Sequence, residues 1–215
     1  MNKLANKNEK NPDRIRFERM LWDEGFCRIM GLDEVGRGCL AGPVVAGGVI
    51  FEPGTNIKEI KDSKKLSLEE RKSLSQLIKE KAVYWTLQWC SPKEIDQWNI
   101  LQASLKAMTR CTEESDANPD FLLVDGNKFS TGLCPHKCLV KGDDRSMSIA
   151  AASIIAKVYR DNWMIKLHDE YPYYGWQTNV GYPTAEHYEG LKEYGQTKHH
   201  RQSFSLKTDK IFDNQ

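Results

Sequence analysis

The sequence predicts an α/β fold in which a mixed sheet is flanked by helices. Short apolar segments rich in β-branched residues indicate strands, and two capping boxes mark the starts of helices. The first three strands can form a meander, whereas strand and helix alternate further along the chain. The length of 215 residues suits one domain. We expect that domain at 15–205, between a polar, disordered segment at 1–14 and a polar tail at 206–215.

The expected elements follow from local patterns. Strands are predicted at 26–32, 44–51, 82–89, 121–124 and 138–140. Ser67 and Glu70 form a capping box, and Ser91 and Glu94 form a second one that opens a helical pattern, in one or two pieces, up to about residue 111. Further helices are expected at 15–22, 147–168 and 184–194.

Composition and charge narrow the classes of function. The chain carries 31 Lys and Arg against 30 Asp and Glu, so nucleic-acid binding would depend on a local basic surface. No apolar run is long enough to cross a bilayer, and the polar N-terminus lacks the apolar stretch of a signal peptide. We therefore expect a cytoplasmic protein without a membrane partner, whose six cysteines are reduced thiols.

The most informative motif is GLDEVGRG at 31–38. Asp33 and Glu34 end an apolar run, and Asp125 and Asp143 each follow another strand-like run, so neighbouring strands would bring four carboxylates to one rim of the sheet. Each acid alone would also fit an ordinary turn at a strand end. Together they suit two Mg²⁺ or Mn²⁺ ions that hydrolyse a phosphodiester, and Arg37, set between two glycines, suits a phosphate.

Other segments have a functional and a structural interpretation. Lys64 lies in DSKKLS, just before a helix N-terminus, where it could contact a phosphate or belong to a solvated loop. Tyr182 lies in an aromatic loop that could stack on a sugar or simply pack. The small apolar helix that contains Ser153 and Lys157 is expected to be core first.

These motifs together resemble the type 2 ribonuclease H family, bacterial ribonuclease HII. The matching segments, in the family's order, are GLDEVGRG (31–38), AGPVVA (41–46), DSKKLS (62–67), VDG (124–126), KGD (141–143), IAAASIIAKVYRD (149–161), GYPTAEH (181–187) and HRQSF (200–204). They cover roughly 17–204, nearly the whole chain. An ordered set of this length is far more specific than an isolated pair of acids.

The resemblance implies a ribonuclease H-like fold, with a five-stranded mixed sheet flanked by helices and a C-terminal helical extension. It implies hydrolysis of the RNA strand in RNA–DNA hybrids and incision 5′ of single ribonucleotides in duplex DNA, leaving 3′-hydroxyl and 5′-phosphate ends. Asp33, Glu34, Asp125 and Asp143 match the family's catalytic, metal-binding acids, with Mg²⁺ or Mn²⁺ as cofactors in a two-metal site.

The resemblance also assigns the substrate contacts. The backbone of Gly36, Arg37 and Gly38 would read the 2′-hydroxyl that distinguishes RNA from DNA. Tyr182 would stack on the deoxyribose 3′ of the ribonucleotide and sense the junction, and Lys64 would lie near the phosphates. The family also suggests a monomer, and it leaves open a contact with a sliding clamp or a polymerase.

Departures from the family are small, and three alternatives remain. Cys39 stands where many members have proline, and Ala150 stands where serine is common, so fine tuning is in doubt but not the chemistry. Ribonuclease HIII, which would cut hybrids only, usually has an extra N-terminal domain and lacks an arginine in the glycine turn, so Arg37 and the short N-terminus favour HII. The others are a module that binds hybrids without cutting them, and a zinc protein built on Cys134, His136 and Cys138.

Overall fold

A five-stranded mixed sheet forms the centre of the fold. The computed structural model describes residues 13–60, 66–113, 116–129 and 134–206. The strands are β1 (Ile29–Val35), β2 (Val44–Phe51), β3 (Ala82–Cys90), β4 (Phe121–Asp125) and β5 (His136–Leu139), in the order β3-β2-β1-β4-β5. The first three form an antiparallel meander, and β4 runs parallel to both β1 and β5. The predicted α/β class and five-stranded mixed sheet are confirmed.

Helices cover both faces of this sheet. They are α1 (Arg16–Asp23), α2 (Leu68–Lys81), α3 (Pro92–Glu113), α4 (Met147–Glu170), α5 (Trp176–Asn179) and α6 (Ala185–Tyr194). Ser67 and Glu70 form the predicted reciprocal cap of α2. Asn99 interrupts α3 with a φ of 67°, so that the predicted helical pattern is realised in two pieces. Among the described residues, no helix is both long and apolar enough to span a membrane.

The two faces of the sheet have separate cores. On one face, Leu32 and Val124 pack with Ala103 and Ala107 of α3. On the other face, α2 and α4 cover the sheet. There α4 approaches β1 so closely that a Cβ at Gly31 would lie 2.1 Å from the carbonyl carbon of Ser148. Only glycine fits at this crossing, and the crossing places α4 directly over the end of β1 that carries the first two acids.

Three strand ends near the acids differ from the prediction, one of them because β4 extends to Asp125 itself. The ladder between β1 and β2 continues to the pair Val35–Val45, so Asp33 and Glu34 lie inside β1 rather than after it. β5 ends at Leu139, and a 3₁₀ turn, Gly142–Asp144, follows it. Asp143 is therefore carried by this turn rather than by a strand end.

The C-terminal part forms the predicted helical extension. The aromatic segment at 171–176, which its tyrosines suggested to be a loop, folds into a 3₁₀ turn (Pro172–Tyr174) and the start of α5, because Tyr174 and Trp176 are buried in a cluster with Met164 and Leu167 of α4. An isolated bridge between Ala41 and His200 ties this part back to the loop after β1. Most of the predicted polar segments at 1–14 and 206–215 lies outside the described residues, and the domain boundaries stay a prediction.

Candidate active site

Three of the predicted acids lie at one end of the sheet. Leu32 of β1 pairs with Val124 of the parallel strand β4, so the next residues, Asp33 and Asp125, are neighbours at the carboxyl ends of these strands. Asp33 also precedes Glu34 directly, and the main-chain N–H of Glu34 donates to Asp33 Oδ1 over 2.8 Å. The parallel order of β1 and β4 thus brings Asp33, Glu34 and Asp125 together, as the sequence predicted.

Asp33 is almost completely buried beneath α4, with 6% of its surface exposed. Burial raises the pKa of its carboxyl well above the usual value, and the charges of Glu34 and Asp125 raise it further. A hydrogen bond with Ser153 acts in the opposite direction. Ser153, which the sequence assigned to the core first, therefore holds the most buried acid of the site.

Glu34 forms an ion pair with Arg37. Its Oε1 lies 2.9 Å from Nη1 of Arg37, and its side chain is 8% exposed. Burial raises the pKa of Glu34, the ion pair with Arg37 lowers it, and the charge of Asp125 raises it again, with a net upward shift. Arg37, half exposed, therefore offsets only part of the cost of holding these carboxylates together.

The fourth acid belongs to the turn after β5. Asp125 Oδ1 accepts a hydrogen bond of 2.6 Å from the main-chain N–H of Gly142, which fixes the turn against the end of β4. Asp143 is the next residue, and its carbonyl oxygen accepts a 2.9 Å hydrogen bond from Nη1 of Arg14. The backbone of Asp143 is thus close to Asp125, while the approach of its carboxylate to the other three stays a prediction.

The donor set fits a hard divalent cation by its chemistry. Within the described ranges, no group of three or more His, Cys, Asp or Glu side chains is already arranged to hold a metal ion, and this holds for Cys134, His136 and Cys138 too. However, Asp33, Glu34 and Asp125 repel one another in a buried place, and they offer only oxygen ligands. A divalent cation would relieve that repulsion, and oxygen ligands are those that Mg²⁺ and Mn²⁺ prefer.

The Gly-Arg-Gly turn is held by buried arginines. Gly36 has a φ of +95°, and a Cβ there would lie 2.1 Å from Nε of Arg160. The guanidinium of Arg201 donates to the carbonyl oxygens of Gly36 over 2.7 Å and of Arg37 over 2.9 Å. Glycine is required at position 36 for two reasons: the backbone is left-handed there, and a side chain would collide with the guanidinium group of Arg160.

Arg160 and Arg201 support the glycine turn, a role that the sequence did not indicate: it assigned no role to Arg160, and it placed Arg201 in a short basic segment, 198–201, interpreted as a solvated tail or a contact with a phosphate backbone. Both are fully buried, and Arg160 donates to the carbonyl oxygens of Ala41, Pro43 and Val180 over 2.8–3.0 Å. Burial lowers the pKa of Arg201 to about 10, so it stays charged at neutral pH. For Arg160, the available signal was an arginine inside an apolar helical segment, since such a charge must find several acceptors.

Tyr182 lies beside the same turn. Its ring is 39% exposed and would touch a Cβ at Gly38, at 3.8 Å from Cε1. Nζ of Lys157 stands 5.9 Å from the ring centroid. The ring is therefore open to a ligand on one side and adjacent to the glycine turn on the other. Lys64, the remaining predicted substrate contact, lies outside the described residues.

The N-terminal helix is a second support that the sequence did not reveal. Glu18 is 2% exposed, and its Oε1 accepts hydrogen bonds from the hydroxyls of Ser146 and Ser148 over 2.6 and 2.7 Å. Its other oxygen, Oε2, is buried and has no hydrogen-bond partner among the described residues. Together with Arg14, Glu18 ties α1 to the turn that carries Asp143 and to the start of α4.

This fold and this carboxylate site define a nuclease of the ribonuclease H-like fold class. The family model for ribonuclease HII matches residues 30–207. A ribonuclease HII from Salinibacter ruber is 53% identical over 199 residues, which are 91% of this chain and 100% of that protein. The chain therefore belongs to the ribonuclease HII family.

Solved structures support the fold. Ribonuclease H2 from Pyrococcus horikoshii is 24% identical with a TM-score of 0.73, covering 85% of this chain and 96% of that one. The RNase HII of Archaeoglobus fulgidus, solved in a complex with PCNA, is 26% identical with a TM-score of 0.69 and coverages of 83% and 96%. Bst-RNase HIII in complex with Mn²⁺ is 19% identical with a TM-score of 0.62 and coverages of 85% and 68%.

Proposed function

We propose that this chain hydrolyses the RNA strand of RNA–DNA hybrids and incises 5′ of single ribonucleotides in duplex DNA. Membership of the ribonuclease HII family makes it a metal-dependent endoribonuclease. The observation that carries the mechanism is the group of Asp33, Glu34 and Asp125, in which burial and, to a lesser extent, repulsion between the carboxylates raise the pKa of the first two. Such a group is suited to neutralisation by divalent cations.

Asp33, Glu34, Asp125 and Asp143 would hold two Mg²⁺ or Mn²⁺ ions. When bound, such ions supply a nucleophilic water at neutral pH and neutralise charge on the reacting phosphate. Ser153 holds Asp33 in place, and the N–H of Gly142 holds Asp125, so these two carboxylates have a fixed direction before substrate arrives. The products would carry 3′-hydroxyl and 5′-phosphate ends.

Recognition of the ribonucleotide would depend on the glycine turn. Arg201 binds the carbonyl oxygens of Gly36 and Arg37, which fixes the orientation of the peptide groups that would read the 2′-hydroxyl. Tyr182, partly exposed beside Gly38, would stack on the adjoining deoxyribose. Lys64 is proposed to contact the phosphates by its place in the family motif.

A cleavage assay tests this function. A DNA duplex that holds one ribonucleotide, and a continuous RNA–DNA hybrid, are incubated with Mg²⁺, Mn²⁺ or EDTA, and the products are resolved on a gel. We expect a single metal-dependent nick 5′ of the ribonucleotide and cleavage within the hybrid. Cleavage of the hybrid alone would indicate HIII-like specificity, and cleavage of neither would indicate a module that binds without cutting.

The remaining proposals concern the location, oligomeric state, domain boundaries and partners of the enzyme. We propose that the enzyme is a cytoplasmic monomer and that residues 15–205 form one catalytic domain. The complex of PCNA with the Archaeoglobus fulgidus enzyme motivates a search for a sliding-clamp contact in this chain as well. Size-exclusion chromatography with and without a clamp would test both proposals, since a clamp contact would shift the elution of the enzyme.

A further inference from the structure

A pair of buried histidines lies beneath Tyr182. His187 and His200 are 0% and 2% exposed, and their Nε2 atoms are 3.1 Å apart. Nδ1 of His187 lies 2.9 Å from the carbonyl oxygen of Tyr182. The two side chains therefore form a chain of contacts that ends at the backbone of the proposed junction-sensing residue.

The hydrogen-bond partners fix the tautomer of each ring. Nδ1 of His200 accepts from the main-chain N–H of Thr197 over 2.9 Å, so its proton is on Nε2. That Nε2–H donates to Nε2 of His187, which also accepts from the indole N–H of Trp176 over 3.2 Å. The proton of His187 must then be on Nδ1, where it donates to the carbonyl oxygen of Tyr182.

This arrangement requires both rings to be neutral. An additional proton on His187 Nε2 would face two donors, the indole of Trp176 and the Nε2–H of His200, with no acceptor. Burial lowers the pKa of His187, and burial together with the neighbouring charges of His187 and His199 lowers that of His200 to about 3. At neutral pH, the direction of the hydrogen bonds is therefore fixed.

The loop between α5 and α6, residues 180–184, is supported by His187 and is under backbone strain. Val180 adopts a φ of 43°, a left-handed conformation that a β-branched residue rarely takes. Asn179 holds the loop on its other side, where its Oδ1 accepts from the N–H of Gly181 over 2.9 Å. A strained segment persists only when its surroundings over-determine it, and His187 provides one of these constraints directly at Tyr182.

We propose that His187 and His200 are positioning residues, which orient the backbone of Tyr182 through a directed hydrogen-bond relay and thereby set the preference for an RNA-to-DNA junction. This proposal rests on the proposed role of Tyr182 in substrate binding. Neither histidine is expected to touch the nucleic acid. Their effect should be largest on the duplex that holds a single ribonucleotide, because that substrate depends on the junction contact.

Two substitutions of His187 separate positioning from packing. In His187→Asn the amide nitrogen can take the place of Nδ1, so the donor to Tyr182 is retained. In His187→Gln the amide lies where Nε2 was, and that donor is lost. We expect kcat/KM on the single-ribonucleotide duplex to fall about fivefold in His187→Gln but less than about twofold in His187→Asn. Cleavage of the continuous hybrid should change less than about twofold in both.

A double-mutant cycle with Tyr182→Ala distinguishes the possible failures. If the relay acts through Tyr182, His187→Gln should add no further loss of junction preference to Tyr182→Ala. Equal losses in His187→Asn and His187→Gln, with junction preference still lost in Tyr182→Ala, would overturn the relay and leave the proposed function intact. A Tyr182→Ala enzyme with unchanged preference would overturn both the contact and the relay that serves it.

His200 offers the same comparison if a His187 variant does not fold. His200→Gln keeps a donor at the Nε2 position toward His187, whereas His200→Asn does not. Thermal unfolding of each variant shows which pair can be used. The relay predicts a greater loss of junction preference in His200→Asn, and equal preference in the two variants would contradict it.

Discussion

Two neighbouring regions of the enzyme treat buried charge in opposite ways. At the acid group, Asp33, Glu34 and Asp125 repel one another, and the half-exposed Arg37 and the hydrogen bonds to Asp33 offset part of that cost. At the glycine turn, by contrast, the buried guanidiniums of Arg160 and Arg201 are matched by main-chain carbonyl oxygens. The acid group holds negative charge that a divalent cation could neutralise, whereas the guanidiniums near the glycine turn are already paired with the backbone.

The difference indicates which region acts and which supports. Carboxylates held together in a buried place destabilise the fold, and a bound cation would relieve that cost, so they belong to the chemistry. Satisfied guanidiniums stabilise a backbone shape that glycine alone can take, so they belong to recognition. Substitution of a buried acid should therefore raise stability and lower activity, whereas substitution of a buried arginine should lower stability.

Asp33→Asn should have the largest effect. We expect cleavage to fall at least about 10³-fold, because a proposed metal ligand is lost. The folded-state pKa of Asp33 is raised, so its stability contribution is present below the unfolded pKa and is lost as pH rises through the folded value. Removing the charge should therefore raise the melting temperature in EDTA, more at pH 8 than at pH 4. Full activity, or a lower melting temperature at pH 8, would contradict the assignment.

Arg160→Ala should lower the stability of the fold, whereas Asp33→Asn should raise it. It would leave the carbonyl oxygens of Ala41, Pro43 and Val180 without their donor, at a cost of about 4 kcal/mol in the free energy of unfolding. Urea denaturation measures this loss. Arg16 is exposed, and Arg16→Ala serves as the control, with an expected change below about 0.5 kcal/mol. Equal changes in the two variants would refute a supporting role for Arg160.

Much of this arrangement could be predicted from local sequence. The capping pair Ser67–Glu70 and the acids of β1 and β4 follow patterns within a few residues; the cap forms as predicted, and the acids meet at one end of the sheet, although Asp33 and Glu34 lie inside β1 rather than after it. The supports could not be predicted in this way. Arg201 reaches Gly36 across 165 positions of sequence, and His187 meets His200 only through tertiary packing. Side-chain partners so distant in sequence leave no periodic signal.

Asp143 and Asp144 provide a matched pair of adjacent acids. Asp144 lies 3.9 Å from Arg14 in a partly exposed ion pair, while the family motif assigns the fourth metal ligand to Asp143. We expect Asp143→Asn to reduce cleavage about 100-fold and Asp144→Asn less than about threefold. Single-turnover kinetics at saturating Mg²⁺ would measure both. The opposite order would assign the fourth ligand to Asp144 instead.

The smallest expected effect is a dependence of stability on pH. His200 has a lowered pKa of about 3, mainly through burial, so the unfolded chain binds a proton near pH 6.5 that the folded one does not. Stability is therefore full above pH 6.5 and is lost as pH falls toward 3, by about 2 kcal/mol at pH 5. His200→Gln should lose less stability than the parent between pH 7.5 and pH 5 in urea denaturation. An unchanged pH dependence would mean that His200 is protonated in the folded enzyme.

Calorimetric titration with Mn²⁺ tests most directly whether the repelling acids are a metal site. The parent enzyme, Asp33→Asn and the control Asp144→Asn would be titrated under identical conditions, without nucleic acid. We expect saturable binding by the parent and by Asp144→Asn, and a loss of binding in Asp33→Asn. Equal binding by all three proteins would contradict the assignment, since the metal would then be held elsewhere.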